Sequence, residues 1–235
     1  MLQILAYAAL TIFVLGIFLR IVKYARTPAP LNIPTTPAPV TKKGVVWRLF
    51  TEVAFFNSLF KGDKWTWLGG YVFHVALAIV TLRHLRYFVE DIPEVAAHFQ
   101  IVGIIAGIAM VGGLGFLFLR RLMVDRFRHI SSPADFLILL LLLAIGVSGL
   151  LMTFVVHPDV VEIKAAMMSW LWFDVDNFVP PTDVVFLLHF VMVLGLMIIF
   201  PFSKLMHMVG IFFSPTRNQA DNPREAKHVN PWSKY

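Results

Sequence analysis

The chain contains no cysteine. Disulfides, thiolate-ligated haem, iron–sulfur clusters held by the chain's own thiolates and the C-x-x-C-H attachment of covalent haem are therefore excluded. Charge is scarce as well: 14% of the 235 residues are Asp, Glu, Lys or Arg, against about 25% in soluble domains. No internal repeat is present, so the paired-repeat architecture of many transporters gains no support. There is also no H-E-x-x-H and no run of three or four ligands at zinc-like spacing.

Apolar residues fill the gap. They make up 58% of the chain, with a mean hydropathy of +0.76. Five long apolar runs stand out, at roughly 2–19, 67–89, 99–119, 134–156 and 183–213. Each can cross a hydrocarbon core of ~30 Å at about 1.5 Å per helical residue. Lipid offers the backbone no hydrogen-bond partners, so the runs predict an all-α, polytopic bundle of five transmembrane helices. The first run lacks a basic leader and a small-residue cleavage site, and reads as a span rather than a signal peptide.

The net charge of +6 is distributed unevenly. Eight Lys and Arg fall in 20–66, four in 120–133 and five from Lys204 onward. The segments 90–98 and 157–182 hold Glu90, Asp91, Glu94, Asp159, Glu162, Asp174 and Asp176, with Lys164 as their sole basic residue. The positive-inside rule then predicts a multi-pass protein of the inner (cytoplasmic) membrane, with the N-terminus outside and the C-terminus in the cytoplasm. Arg83 and Arg86, near the outer end of the second span, are the exceptions. The basic balance thus reads as topology and not as nucleic-acid binding.

Outside the spans, 27–43 is Pro-rich and expected to be extended, either a linker or a docking strap. Residues 45–60 are amphipathic enough for an interfacial helix, and 159–178, with Trp170 and Trp172, resembles a second one. The expected division is a membrane body over 1–213, including a cytoplasmic loop and interfacial segment at 20–66, and a polar cytoplasmic tail over 214–235.

Four histidines lie within the apolar runs: His74 and His84 in the second span, His189 and His207 in the fifth. Ionisable residues in a span are costly and usually face the bundle interior for a functional reason. Eighteen helical residues make five whole turns, so His189 and His207 share a face about 27 Å apart along the axis. The antiparallel course of the two spans brings His74 level with His207 and His84 level with His189. Two cross-helix imidazole pairs at two depths suit the iron of two stacked bis-histidine haems: His74 and His207 for an inner one, His84 and His189 for an outer one. The spacing is imperfect, because His74 and His84 are only about 15 Å apart and about 80° apart in rotation. A kink at Pro201 would absorb part of the mismatch. The glycines of the third span, Gly103, Gly107, Gly112, Gly113 and Gly115, serve close helix packing or make room for flat macrocycles. Arg83, Arg86, Tyr87 and Glu90 share one face at the outer end of the second span, at i, i+3, i+4 and i+7. That face is a candidate quinol site, and its arginines are alternatively partners of haem propionates.

VFHVALAIVTLRH (72–84), FLRRL (118–122), ADFLILLLLLAIGVSGLL (134–151) and LLHFVMVLGLMIIFPFSKLMH (187–207) resemble the gamma-subunit family of respiratory nitrate reductases, five-helix dihaem cytochromes b. In that family histidines at these spacings are the haem ligands. NIPTTPAPVTKKGVV (32–46) and SPTRNQADNPREAKHVNPW (214–232) look like the DsrM branch, the cytochrome b of the DsrMKJOP sulfur-metabolism complex. The resemblance implies two haem b, a quinone or quinol (menaquinone or ubiquinone) as substrate, and a DsrK-like cytoplasmic iron–sulfur subunit among the DsrMKJOP partners. The expected function is electron exchange between the quinone pool and that subunit, with no catalytic residue assigned beyond a possible quinol oxidoreductase site. A nitrate reductase gamma subunit and a haem-free anchor or transporter are the alternatives.

Overall fold

The computed structural model describes residues 2–28, 37–90, 99–174, 176 and 178–221. Five helices are long and apolar enough to cross a membrane. They are α1 (Leu2–Arg26), α4 (Lys64–His84, continued by a 3-10 turn to Tyr87), α5 (Gln100–Met123), α7 (Pro133–Leu151, continued by a π turn to Val156) and α9 (Val184–Ile199). Shorter elements join them: α2 (Lys42–Phe55), α3 (Asn57–Gly62), α6 (Asp125–Ile130), α8 (Val160–Leu171), α10 (His207–Phe213) and α11 (Pro215–Asn218). No strand occurs among the described residues.

The helix starts are written in the sequence. Asp63 caps α4 by accepting from the backbone N–H of Trp65 and Thr66, and Asp183 caps α9 at Phe186. Ser132 and Asp135 form a capping box at α7, with Pro133 in the first turn. One end of the bundle is basic and tied by ion pairs: Arg120 to Asp63 at 2.6 Å, and Lys204 to Asp135 at 2.6 Å. The opposite end is aromatic: Tyr7 stacks on Phe173 and donates to the carbonyl of Trp170 at 2.7 Å.

The packing is that of a lipid-solvated protein. Large side chains such as Ile4, Leu19, Ile105, Leu137 and Leu188 point outward, while the closest helix approach uses small residues. A Cβ on Gly113 of α5 would lie 3.2 Å from the carbonyl oxygen of Gly69 in α4. That contact lets the two backbones meet and close over Phe73, Ala76, Ala106, Met110 and Leu114.

Three local expectations change. The fifth run is not one helix over 183–213: α9 stops at Ile199, two 3-10 turns cover Phe200–Phe202 and Lys204–Met206, and helix resumes at His207. Pro201 cannot donate to Met197 and its ring crowds the preceding turn, so it ends the helix rather than bending it. The interfacial stretch 45–60 is likewise two helices, divided at Phe56, whose φ of 51° lies in the left-handed region. The α-helix of the second span ends at His84, so Arg83, Arg86, Tyr87 and Glu90 do not form a continuous helical stripe. Residues 29–36, Asp91, Glu94, His98 and 222–235 lie outside the described residues.

Two histidine pairs as the candidate functional site

The structure brings the four intramembrane histidines together in two cross-helix pairs. His74 and His207 have ring centroids 5.9 Å apart, with ring planes at 83°. His84 and His189 are 6.4 Å apart, with planes at 8°. In each pair one ring is half-buried (His74, His189) and the other exposed (His84, His207). The first pair lies toward the basic end and the second toward the aromatic end.

Local hydrogen bonds fix the tautomer of each ring. Nδ1 of His74 meets the Gly70 carbonyl at 2.7 Å, that of His84 the Val80 carbonyl at 2.7 Å, and that of His207 the Lys204 carbonyl at 2.9 Å. A carbonyl only accepts, so each Nδ1 carries the proton. His189 differs: its Nδ1 faces the Ser148 hydroxyl at 2.9 Å, and that hydroxyl donates to the Ile145 carbonyl at 2.9 Å. The serine's proton is thereby committed, so it accepts from His189. All four Nε2 atoms are left as unprotonated lone-pair donors. His129 has the same local bond, to the Asp125 carbonyl, but stands exposed on α6 with no partner imidazole among the ring contacts of the described residues. The tautomer is therefore set locally in every ring but that of His189, and the pairing is what sets the other four apart from His129.

Neighbouring rings hold the imidazoles in place. Phe56 meets His74 edge to face at 5.0 Å and Tyr71 at 5.7 Å. Its left-handed backbone aims the ring at that point. Gly149 lies opposite His189, where an added Cβ would be 3.7 Å from Cε1. Sequence reasoning missed Ser148, Phe56 and Gly149. Ser148 carried a signal, a hydroxyl inside an apolar run that must find a partner. Phe56 carried none.

Arg83 and Arg86 lie beside His84 but face different surroundings. The Arg83 side chain lies over Gly103, where an added Cβ would collide with its Cδ. That gives one third-span glycine a packing role. Arg86 donates from Nη2 to the Tyr87 hydroxyl at 2.7 Å and sits over that ring. Its Nε and the indole Nε1 of Trp170 are buried without a hydrogen-bond partner among the described residues. Glu90 is drawn away, its carbonyl accepting from Lys164 at 2.7 Å.

The sequence pattern of the nitrate reductase gamma subunit family matches residues 44–218. The chain belongs to that family. It is similar to the Hdr-like menaquinol oxidoreductase cytochrome b-like subunit of Archaeoglobus fulgidus, 36% identical over 97% of this chain and 82% of the relative. The corresponding protein of Archaeoglobus profundus is 33% identical, covering 97% and 81%. The nitrate reductase gamma chain of Bacillus subtilis is 30% identical over 61% of this chain and 71% of its own length. Family membership and five apolar helices together make this an integral membrane protein.

Proposed function

We propose that the protein is a dihaem cytochrome b subunit that exchanges electrons between a quinone and a partner protein. The observation that carries the reading is the pair of facing imidazoles at each of two depths, with every Nε2 unpartnered among the described residues. Imidazole nitrogen bonds a first-row metal at about 2.0–2.1 Å, so two imidazoles on opposite sides of one ion have centroids roughly 6 Å apart. The observed 5.9 and 6.4 Å fit that span. Among the described residues no group of three or more His, Cys, Asp or Glu converges. Two protein ligands per iron suit a macrocycle that supplies the other four. His74 and His207 would hold one haem b, His84 and His189 the other, and each haem when bound supplies a one-electron carrier.

The quinone end is assigned to the aromatic side. Arg86 and Trp170 offer buried N–H groups there without partners among the described residues, which a quinone carbonyl or a haem carboxylate would satisfy. Arg83 supplies a second cation beside His84. The likeness to the two archaeal menaquinol oxidoreductase subunits favours menaquinol over ubiquinol. Coverage of 97% against 61% favours their branch over the nitrate reductase gamma chain. On this reading the basic end faces the cytoplasm and docks a DsrK-like iron–sulfur subunit of a DsrMKJOP-type complex, since a chain without cysteine has no cluster of its own. The start of the tail lies on that end: α11 packs against α2, and the Asp221 N–H donates to the Pro39 carbonyl at 2.8 Å. The division into a body over 1–213 and a docking tail over 214–235 follows the same reading.

Purification with its neighbours tests the proposal. Two haem b per chain, a reduced-minus-oxidised α band of b type, reduction by a menaquinol analogue and a co-purifying iron–sulfur protein are expected. A haem-free preparation would sink the reading, and a co-purifying molybdenum enzyme would move the chain to the nitrate reductase branch.

A further inference from the structure

Helix α1 carries no histidine, yet it grips the segment that leads to His207. Pro201, where the fifth run breaks, is almost wholly buried. A Cβ on Gly16 of α1 would lie 2.6 Å from both Cβ and Cγ of Pro201. The pyrrolidine ring is rigid and cannot swing aside as the end of a flexible side chain can. One turn further along α1, Arg20 donates from Nε to the Pro201 carbonyl at 2.9 Å. Gly16 and Arg20, at i and i+4, share a face of α1. They hold the same proline by its ring and by its carbonyl. Broken helix at membrane depth leaves backbone groups that need such partners.

Between Pro201 and His207 the chain has little slack. Ser203 donates to the Phe200 carbonyl at 2.9 Å and accepts from Leu205 N–H at 3.2 Å. The Lys204 ammonium is tied to Asp135, and the Lys204 carbonyl accepts the Nδ1 proton of His207 at 2.9 Å. Phe13 of α1 packs edge-on against Phe200 at 5.3 Å, extending the same seam. The placement of Pro201 is therefore passed on to the His207 ring. Arg20 and His207 also line one open cleft of about 610 Å³, so the gripping residue and the gripped imidazole share a wall.

We propose that Gly16 and Arg20 are positioning residues for the His74–His207 pair, acting through Pro201 without touching either imidazole. The proposal rests on the reading of that pair as the residues that would hold one haem.

The test uses the purified complex, with haem content, low-spin EPR signals and the midpoint potential of each haem as readouts. Gly16→Ala should shift or abolish the signal of the His74–His207 haem and leave the other in place. Alanine is the better helix former, so that loss would come from the contact with Pro201. Arg20→Leu should shift the same signal, and Arg20→Lys, which keeps a donor, should restore part of it. These two variants add no bulk at the proline and keep the test open where Gly16→Ala does not fold. Leu19→Ala, on the outward face at 64% exposure, should change nothing. Unchanged signals in Gly16→Ala and Arg20→Leu, or equal shifts in both haems, would overturn the proposal. Failure of the underlying reading looks different: His74→Ala and His207→Ala would each keep two low-spin haems.

Discussion

At the aromatic end His84 and His189 lie nearly parallel, 8° between their planes, while at the basic end His74 and His207 stand at 83°. Both pairs come from the same two spans, so the difference lies in how the rings are held. His84 and His189 sit on α-helix, and the Ser148 hydroxyl of α7 sets the second ring. His207 follows a broken helix and is anchored by main chain, while His74 is wedged by Phe56. Irregular backbone is tolerated at this depth because α1 covers it. Two sites of one composition can thus differ in ring geometry without any change of ligand.

If the two pairs hold haem as proposed, the largest effect that can break this comparison is loss of one of the four imidazoles. Each of His74→Ala and His207→Ala should remove the same haem or turn it high-spin, and His84→Ala and His189→Ala should do so for the other. Haem quantification and absorption spectra check this. EPR sharpens it. Imidazoles at right angles donate into different iron orbitals and leave them nearly equal in energy, whereas parallel ones split them. The haem surviving in His84→Ala should therefore show the more anisotropic low-spin signal, and that surviving in His74→Ala the less anisotropic one. Loss patterns grouping His74 with His84 would contradict the cross-helix arrangement.

Part of this was legible in the sequence and part was not. The five spans follow from run length and hydropathy, because lipid imposes one backbone solution. The partners His74–His207 and His84–His189 follow from the antiparallel course of two spans. Ideal-helix arithmetic, however, placed His207 about 27 Å from His189 on a shared face. It treated Pro201 as a kink, and the structure makes it a break. What the break does depends on Gly16 and Arg20, more than 180 residues earlier in the chain for each contact. No local pattern carries such information. The α-helical spacing expected for Arg83, Arg86, Tyr87 and Glu90 ends at His84 for a similar reason: the chain tightens there into a 3-10 turn.

Smaller effects should separate the two ends electrically. Arg83→Leu removes a fixed positive charge beside His84, and positive charge favours the reduced state. At about 1–2 kcal/mol for a partly screened unit charge, the potential of the His84–His189 haem should fall by roughly 40–80 mV. Ser148→Ala acts in the opposite direction. The hydroxyl accepts the Nδ1 proton of His189 and raises ligand basicity, which favours the oxidised state. Losing a hydrogen bond worth about 0.5–1 kcal/mol should raise that potential by roughly 20–40 mV. In both variants the His74–His207 haem should keep its potential in a redox titration, and equal movement of both haems would erase the claimed distinction.

The smallest effect concerns the ion pairs of the basic end. The hydrogen bond from the Arg120 guanidinium holds the Asp63 carboxyl well below the usual carboxylate range, at about 2. A depressed carboxylate contributes stability above its unfolded pKa of about 3.9 and loses it as pH falls through the folded value. Asp63 is partly exposed, so the pair is worth about 0–1 kcal/mol. Asp63→Asn keeps the Oδ1 cap acceptor for the Trp65 and Thr66 N–H groups, and removes the charge together with the Oδ2 acceptor used by Arg120 and the Thr66 hydroxyl. The variant should unfold slightly earlier than the parent at neutral pH in a detergent melt. That gap should stay constant down to about pH 4 and close as pH approaches 2. The aromatic end, tied by Tyr7, Trp170 and Phe173, supplies the control. Tyr7→Phe removes its hydrogen bond to the Trp170 carbonyl and should give an offset that does not close as Asp63 is protonated. A gap for Asp63→Asn that persists unchanged to pH 2 would mean that the loss does not come from the carboxylate charge and that the ionised Arg120 pair contributes nothing.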